Sequence, residues 1–220
     1  MRAVSNGVLR SLCFSALGVF LSGCATSLQE IQHHPQEERL ERLLAQILPH
    51  TEHPEKHYWV RVSEPTTHQI GLTVLPHRHV YLSASLLEEA DDVVVLALLA
   101  HGVAHHRLHH YTKRGALRTL QRAAFKAGGF FVPGLGHGHY VGDPLTEVVL
   151  SAGQEPSADS KTVTYLIAIG HSEQALIRAL EFMMEHGYAE RVGRIVTPSK
   201  DFASRIARLR RANAHSSSLQ

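Results

Sequence analysis

The stretch A-L-L-A-H-G-V-A-H-H-R-L-H-H-Y, residues Ala97 to Tyr111, sets how the rest of the chain is read. An apolar run ends in His101, and His105 follows four residues later. On a helix that spacing is about 400° of rotation and a rise of ~6 Å, so both imidazoles leave one face, one turn apart. This is how a helix offers two nitrogen ligands to a single zinc ion, and in the zinc-protease signature H-E-x-x-H the Glu between them serves as general base. Here the second position is Gly102. The ligand half of the pattern is present and the acid–base half is missing.

The residues before the run explain why it is a helix and where it sits. Asp91 or Asp92 can cap it, since a short carboxylate at that position accepts from the first free amides. Val93 to Ala100 carries no polar residue on any face, so this part is expected to be buried all round. Gly102 inside it costs roughly 1 kcal/mol relative to Ala. Of 18 histidines in 220 residues, five fall between His101 and His110. His109 is a poor further ligand, ~12 Å along the axis from His101; with His106 and His110 it is expected to lie on the surface or beside the site.

Upstream, His57 to Leu82 changes period from 3.6 to 2. Tyr58, Val60 and Val62, then Ile70, Leu72 and Val74, then Val80 and Leu82 alternate with other residues. Breaks at Glu64-Pro65-Thr66 and Pro76-His77 separate the runs. The expectation is a small antiparallel sheet of three short strands. Before it, Leu40, Leu43, Leu44, Ile47 and Leu48 recur at helical spacing, and Pro54 closes that segment. Downstream, Thr112 to Ala127 is a basic helical pattern, and Gly128 to Pro144, with six glycines and two prolines, reads as a loop. Glu155-Pro156-Ser157-Ala158-Asp159 opens a helix that Gly170 ends; Ser172 to His186 forms another, closed by Gly187. After Pro198 a last short helix carries Arg205, Arg208, Arg210 and Arg211, read as a solvated basic face.

The amino terminus has a different character. Arg2 and Arg10 precede an apolar run, Ser11 to Leu21, that is too short to span a bilayer as an ordinary helix. It ends in Leu21-Ser22-Gly23-Cys24, which looks like a bacterial lipobox: cleavage before Cys24, lipid on the new terminal cysteine, and, with Ala25 following, sorting to the outer membrane on its periplasmic side. The expected organisation is a signal peptide over 1–23, a lipidated tether over 24–37, one domain over 38–213 and a disordered tail over 214–220. Residues 1–23 hold two of the 22 basic residues and none of the 20 acidic ones, so the mature chain is formally neutral and gives no reason to expect nucleic-acid binding. Its cysteines are Cys13, in the removed segment, and Cys24, so no disulfide forms within one mature chain.

A protease-type zinc site takes three protein ligands and leaves a fourth position for water. His101 and His105 supply two, and Glu155, in a Glu-x-x-Ala-Asp segment about fifty residues downstream, is the best candidate for the third. With these residues in place, Leu98 to His110 and Glu155 to Gly170 resemble the zinc metallopeptidase family of the CAAX prenyl protease, HtpX and BepA type, in which an H-E-x-x-H helix is followed by an E-x-x-A-D helix. Gln174-Ala175-Leu176 and Arg205-Ile206-Ala207-Arg208-Leu209 resemble that family's later segments; the likeness runs from Ile70 to Leu209. The resemblance implies an α+β fold, mostly helical and zincin-like, with the sheet packed on the metal-site helix. It implies one Zn²⁺ on His101, His105 and Glu155, with Asp159 holding a ligand histidine in its tautomer. Unfolded or assembling envelope proteins would be the substrates or clients. Two residues depart from the family pattern. Gly102 replaces the base, which implies impaired proteolysis or a silent, client-binding form, and a vacancy is expected where the Glu side chain would stand. Pro156 follows Glu155 directly, which disfavours α geometry at Glu155 unless the helix begins at Pro156.

Overall fold

The computed structural model describes residues 28–66, 69–108, 139–193 and 195–217, with only the backbone path for 139–153 and 215–217. The signal-like segment, Cys24, His109, His110 and the expected basic helix and most of the loop after it lie outside the described residues.

The architecture is α+β, as expected, but the sheet is larger and mixed. Its strands are β1 (Glu30–Ile31), β2 (Trp59–Ser63), β3 (Ile70–Leu75), β4 (His79–Ser83), β5 (Ala189–Val192) and β6 (Ile195–Thr197), in the spatial order β1-β2-β4-β3-β5-β6. The β3–β4 hairpin is antiparallel, as the turn at Pro76-His77 implies, yet β2 lies parallel to β4, and β3 parallel to β5. The expectation of a purely antiparallel three-stranded sheet is therefore corrected. Glu30–Ile31 pairs with β2, so residues assigned to the tether belong to the domain.

The helices are α1 (Glu37–Ile47), α2 (Ala84–Glu89), α3 (Asp92–Arg107), α4 (His139–Ala168), α5 (Gln174–Glu185) and α6 (Phe202–Ser217). Helix α3 is the hub. Asp91 caps it by accepting from the Val94 amide at 3.0 Å, and every residue from Val94 to His105 is buried. It packs on α1, α4, α5 and β3. Leu40, Leu43, Leu44 and Ile47 of α1, Leu176, Ala179, Leu180 and Met183 of α5, and the inward residues Val60, Leu72, Val74 and Val80 of the sheet share one core with it. Gly170 and Gly187 end α4 and α5 at φ +84° and +73°. In both cases the next amide reaches back to the helix (His171 to the Leu166 carbonyl at 2.9 Å, Tyr188 to Met183 at 2.8 Å), satisfying carbonyls that the helix end would otherwise strand.

Two boundaries differ from the sequence reading. Helix α4 begins at His139, inside the expected loop, and Pro156 lies in its interior, not at its start. Helix α6 continues through Ser217, into the segment expected to be a disordered tail.

Candidate metal centre

Helical periodicity brings the site together. On α3, His101 and His105 are spaced one turn apart, and both are buried. On α4, Glu155, Ala158, Asp159 and Thr162 recur on the face turned to α3; Ala158, fully buried, lets the two helices approach closely. The third contributor is β5. Glu190 stands opposite Leu72 of β3 and shares its inward direction, under the helices. The fourth is α6, where Phe202, Arg205, Ile206 and Leu209 make one buried stripe, with Arg205 inside it.

His101, His105, Glu155 and Glu190 each turn one donor atom into a common space, all four within 4.8 Å of one another. His101 Nε2 lies 3.0 Å from His105 Nε2, 3.4 Å from Glu155 Oε2 and 2.9 Å from Glu190 Oε1. His105 Nε2 lies 3.5 Å and 3.9 Å from the same two oxygens. A metal ion about 2.0–2.2 Å from each of four tetrahedral donors would leave them roughly 3.3–3.6 Å apart, close to this spacing. Glu155 Oε2 and Glu190 Oε1 are buried and make no well-aligned hydrogen bond, although Arg205 Nη1 and His101 Nε2 stand 3.3 Å and 2.9 Å from them as ion-pair neighbours. Stranded buried acceptors are costly, and a cation between them and the imidazoles would satisfy both. The cluster can therefore hold a metal ion.

The electrostatics point the same way. Burial alone would depress the His101 pKa, but the Glu190 and Glu155 carboxylates outweigh both burial and the opposing Arg205, raising it to about 10. Burial pushes Glu190 up, and His101 and Arg205 more than reverse this, to about 2. Glu155 is likewise held well below the ordinary carboxylate value, against its burial, chiefly by His105 and His101. The pocket thus draws positive charge to the His101 Nε2 side. A proton and a divalent ion compete for that place.

The tautomer of His101 follows from the hydroxyl beside it. Thr162 Oγ1 donates to the Ala158 carbonyl at 2.7 Å, so at 3.2 Å from His101 Nδ1 it is left to accept. The Nδ1 proton is fixed there, and Nε2 is turned to the cluster. The resemblance gave this task to Asp159. Its Oδ1 stands 3.6 Å from Nδ1, beyond hydrogen-bond range, and Asp159 instead accepts from Arg205 Nε at 3.1 Å, Arg205 Nη2 at 2.5 Å and Arg208 Nη2 at 2.6 Å.

The structure therefore joins the expected residues His101, His105 and Glu155, and adds two that the sequence reading did not single out. Glu190 belongs to no motif; its only signal is an acidic residue within the short strand-like run Tyr188 to Val192. Arg205 was read as solvated, but its side chain is only 4% exposed. Its signal was present in the spacing 202, 205, 206, 209, which puts an arginine in the apolar stripe of α6. His106 is outside the cluster; it packs edge-on against Tyr58, and burial drives its pKa down to about 4.

The expected vacancy at position 102 does not exist. A Cβ built there would meet both Val80 methyl groups at 3.2 Å and Val74 Cγ2 at 3.6 Å. Gly102 faces the sheet, and its lack of a side chain is what allows α3 to lie so close to β3 and β4. The cluster is reached instead from the side of Glu155 and Arg205, which line an open cavity of about 200 Å³ with Pro156, Thr197, Ser204 and Arg208. No known family model and no curated protein matches the chain.

Proposed function

We propose that this chain is a zinc-binding, non-proteolytic relative of the metallopeptidases it resembles, held at the bacterial envelope by lipid on Cys24. In this reading it binds unfolded or assembling envelope proteins without cutting them. Two imidazoles and carboxylates suit zinc among the divalent ions. Zinc, when bound, supplies a structural cross-link between elements far apart in the chain; His101 and His105 bring α3, Glu155 brings α4 and Glu190 brings β5. The observation that carries the reading is Glu190. A hydrolytic zinc site leaves its fourth position to water, whereas four protein donors make a closed, structural site. Glu190 Oε1, 2.9 Å from His101 Nε2, is the donor that would take that fourth position. The sheet against Gly102 supports the same conclusion, because general-base assistance, worth typically ~10²–10⁴-fold, has no carboxylate at the family position.

The full chain, purified in detergent, is expected to contain one zinc per molecule, lost on His105→Ala substitution, and to leave unfolded casein intact while suppressing its aggregation. Chelator-sensitive casein cleavage that disappears in His105→Ala would overturn the non-proteolytic reading. Unchanged metal content in both His101→Ala and His105→Ala would overturn the site.

A further inference from the structure

Arg205 reaches three of the four cluster residues: Glu190, Glu155 and His101. Its Nη1 donates to Glu190 Oε2 at 2.7 Å and lies 3.3 Å from Glu155 Oε2. Its Nη2 stands 3.1 Å from His101 Nε2, the atom that faces the metal space. Asp159 grips the other side of the guanidinium with both oxygens, and Arg208 braces Asp159 in turn. Three carboxylates therefore converge on one buried cation, and Glu190 is divided, with Oε2 on the arginine and Oε1 free toward the imidazoles.

We infer that Arg205 is the resident counter-ion of the metal centre: it holds Glu155, Glu190 and Asp159 together when no metal is bound, and its charge sets how tightly a divalent ion is held. This rests on the metal reading above, which it deepens by naming the residue that governs affinity. Two effects of Arg205 on the metal oppose each other. Fixing the Glu190 carboxylate aids binding, and loss of such an orienting partner typically costs about 10–100-fold. The fixed positive charge, in contact with ligand atoms, repels a dication. At an effective dielectric of ~20, a unit charge and a double charge some 5 Å apart repel by far more than that orienting gain. Charge wins. Arg205 therefore lowers zinc affinity and raises the stability of the metal-free protein, a combination of signs that a merely structural residue would not give.

The test compares wild type, Arg205→Met and Arg205→Lys as full chains in detergent, with zinc titrated against a chelating indicator and thermal unfolding followed with and without chelator. Arg205→Met is expected to bind zinc at least about ten-fold more tightly. Its metal-free form should melt about 10 °C lower, because Glu155 and Glu190 lose their guanidinium partner and Asp159 keeps only Arg208. Arg205→Lys, which keeps the charge and loses the fork, should bind zinc within a few-fold of wild type. Weaker zinc binding by Arg205→Met would reduce Arg205 to a ligand-orienting residue and overturn the inference, as would an unchanged metal-free melt. If Arg205→Met does not fold, Arg205→Met with Glu190→Gln removes one stranded charge; recovery of folding supports the counter-ion role, and no recovery overturns it. A wild-type chain that takes up no zinc refutes the metal reading and with it the affinity half. The metal-free melts still decide the counter-ion half.

Discussion

Position 102 shows how a single missing side chain sets the distance between two layers. With Val80 methyls 3.2 Å from a Cβ at this position, even alanine must push the sheet by a few tenths of an ångström, and glutamate would also have to bury a charge against Val80 and Val74. Overpacking costs typically about 1–3 kcal/mol, partly offset by the ~1 kcal/mol gained on leaving glycine, and an unpaired buried carboxylate adds to the loss. Gly102→Glu is therefore expected to lower the melting temperature and to create no peptidase, although the motif alone suggests a repair; a stable variant that cuts casein would show that the sheet yields. Thr162 makes a sharper test of the site. Its hydroxyl is the acceptor for His101 Nδ1–H, so Thr162→Val, nearly the same in shape, should weaken zinc binding roughly 10–100-fold by freeing the imidazole to change tautomer. Indicator titration with no change in affinity would assign the tautomer to another partner. Gly102 stood out in the sequence and Thr162 did not, and neither effect could be read there, because each depends on what a different element places opposite.

Among the elements, those with a strong local period were legible and those fixed by a distant partner were not. The alternation of Val60 and Val62, Leu72 and Val74, Val80 and Leu82 located three strands, yet alternation is silent on which strands pair, and β4 lies between β2 and β3. Strands β5 and β6, of four and three residues, are too short to carry a period of their own; β5 forms by pairing onto β3, and β6 by pairing onto β5. That is why Glu190 escaped notice. Glu155 was found because the Glu-x-x-Ala-Asp pattern is local, although the helix around it starts well before Pro156. A similar long-range tie sits at Glu52, in the turn after α1. It accepts from Arg107 of α3 at 3.2 Å and from Tyr165 of α4 at 2.9 Å, and pairs with Lys161. The Lys161 hydrogen bond, above all, holds its pKa at about 2, below the ordinary carboxylate value. A carboxyl whose pKa is depressed on folding stabilises the fold above its unfolded value and loses that contribution as pH falls through the folded one. The Glu52 contribution should thus be present at neutral pH and disappear between about pH 4.5 and 2. Because Glu52 is half exposed, water screens the effect, which will be modest. Glu52→Gln is expected to lower stability at neutral pH and to flatten the acid limb of the melting curve; parallel acid limbs for variant and wild type would exclude the tie.

At the scale of the whole molecule, the proposed anchor and the fold constrain each other. No helix among the described residues is long and apolar enough to cross a membrane; in the proposed reading the attachment is the lipid on Cys24. The sequence suggested a tether of fourteen residues, 24–37, which would let the domain roam. Instead Gln29 already accepts from the Glu64 amide at 2.8 Å and Glu30–Ile31 pairs with β2. Only residues 25–27 separate Cys24 from Leu28, the first described residue. An extended chain gains at most ~3.6 Å per residue, so Leu28 stands no more than about 14 Å from the Cys24 Cα. A lipid on Cys24 would therefore hold the β1 edge of the sheet close to the headgroups and limit which faces a client can approach. Attachment and the docked strand are separable by substitution. Cys24→Ala should lose incorporated acyl label and move from the outer-membrane fraction to the soluble periplasmic fraction. Acyl label kept by Cys24→Ala would sink the anchor. Lengthening the link by ten Gly/Ser residues between Cys24 and Leu28 should leave membrane fractionation intact while increasing proteolytic access to the β1 edge. Equal protease access in the two proteins would mean that the short link does not hold this edge against the bilayer.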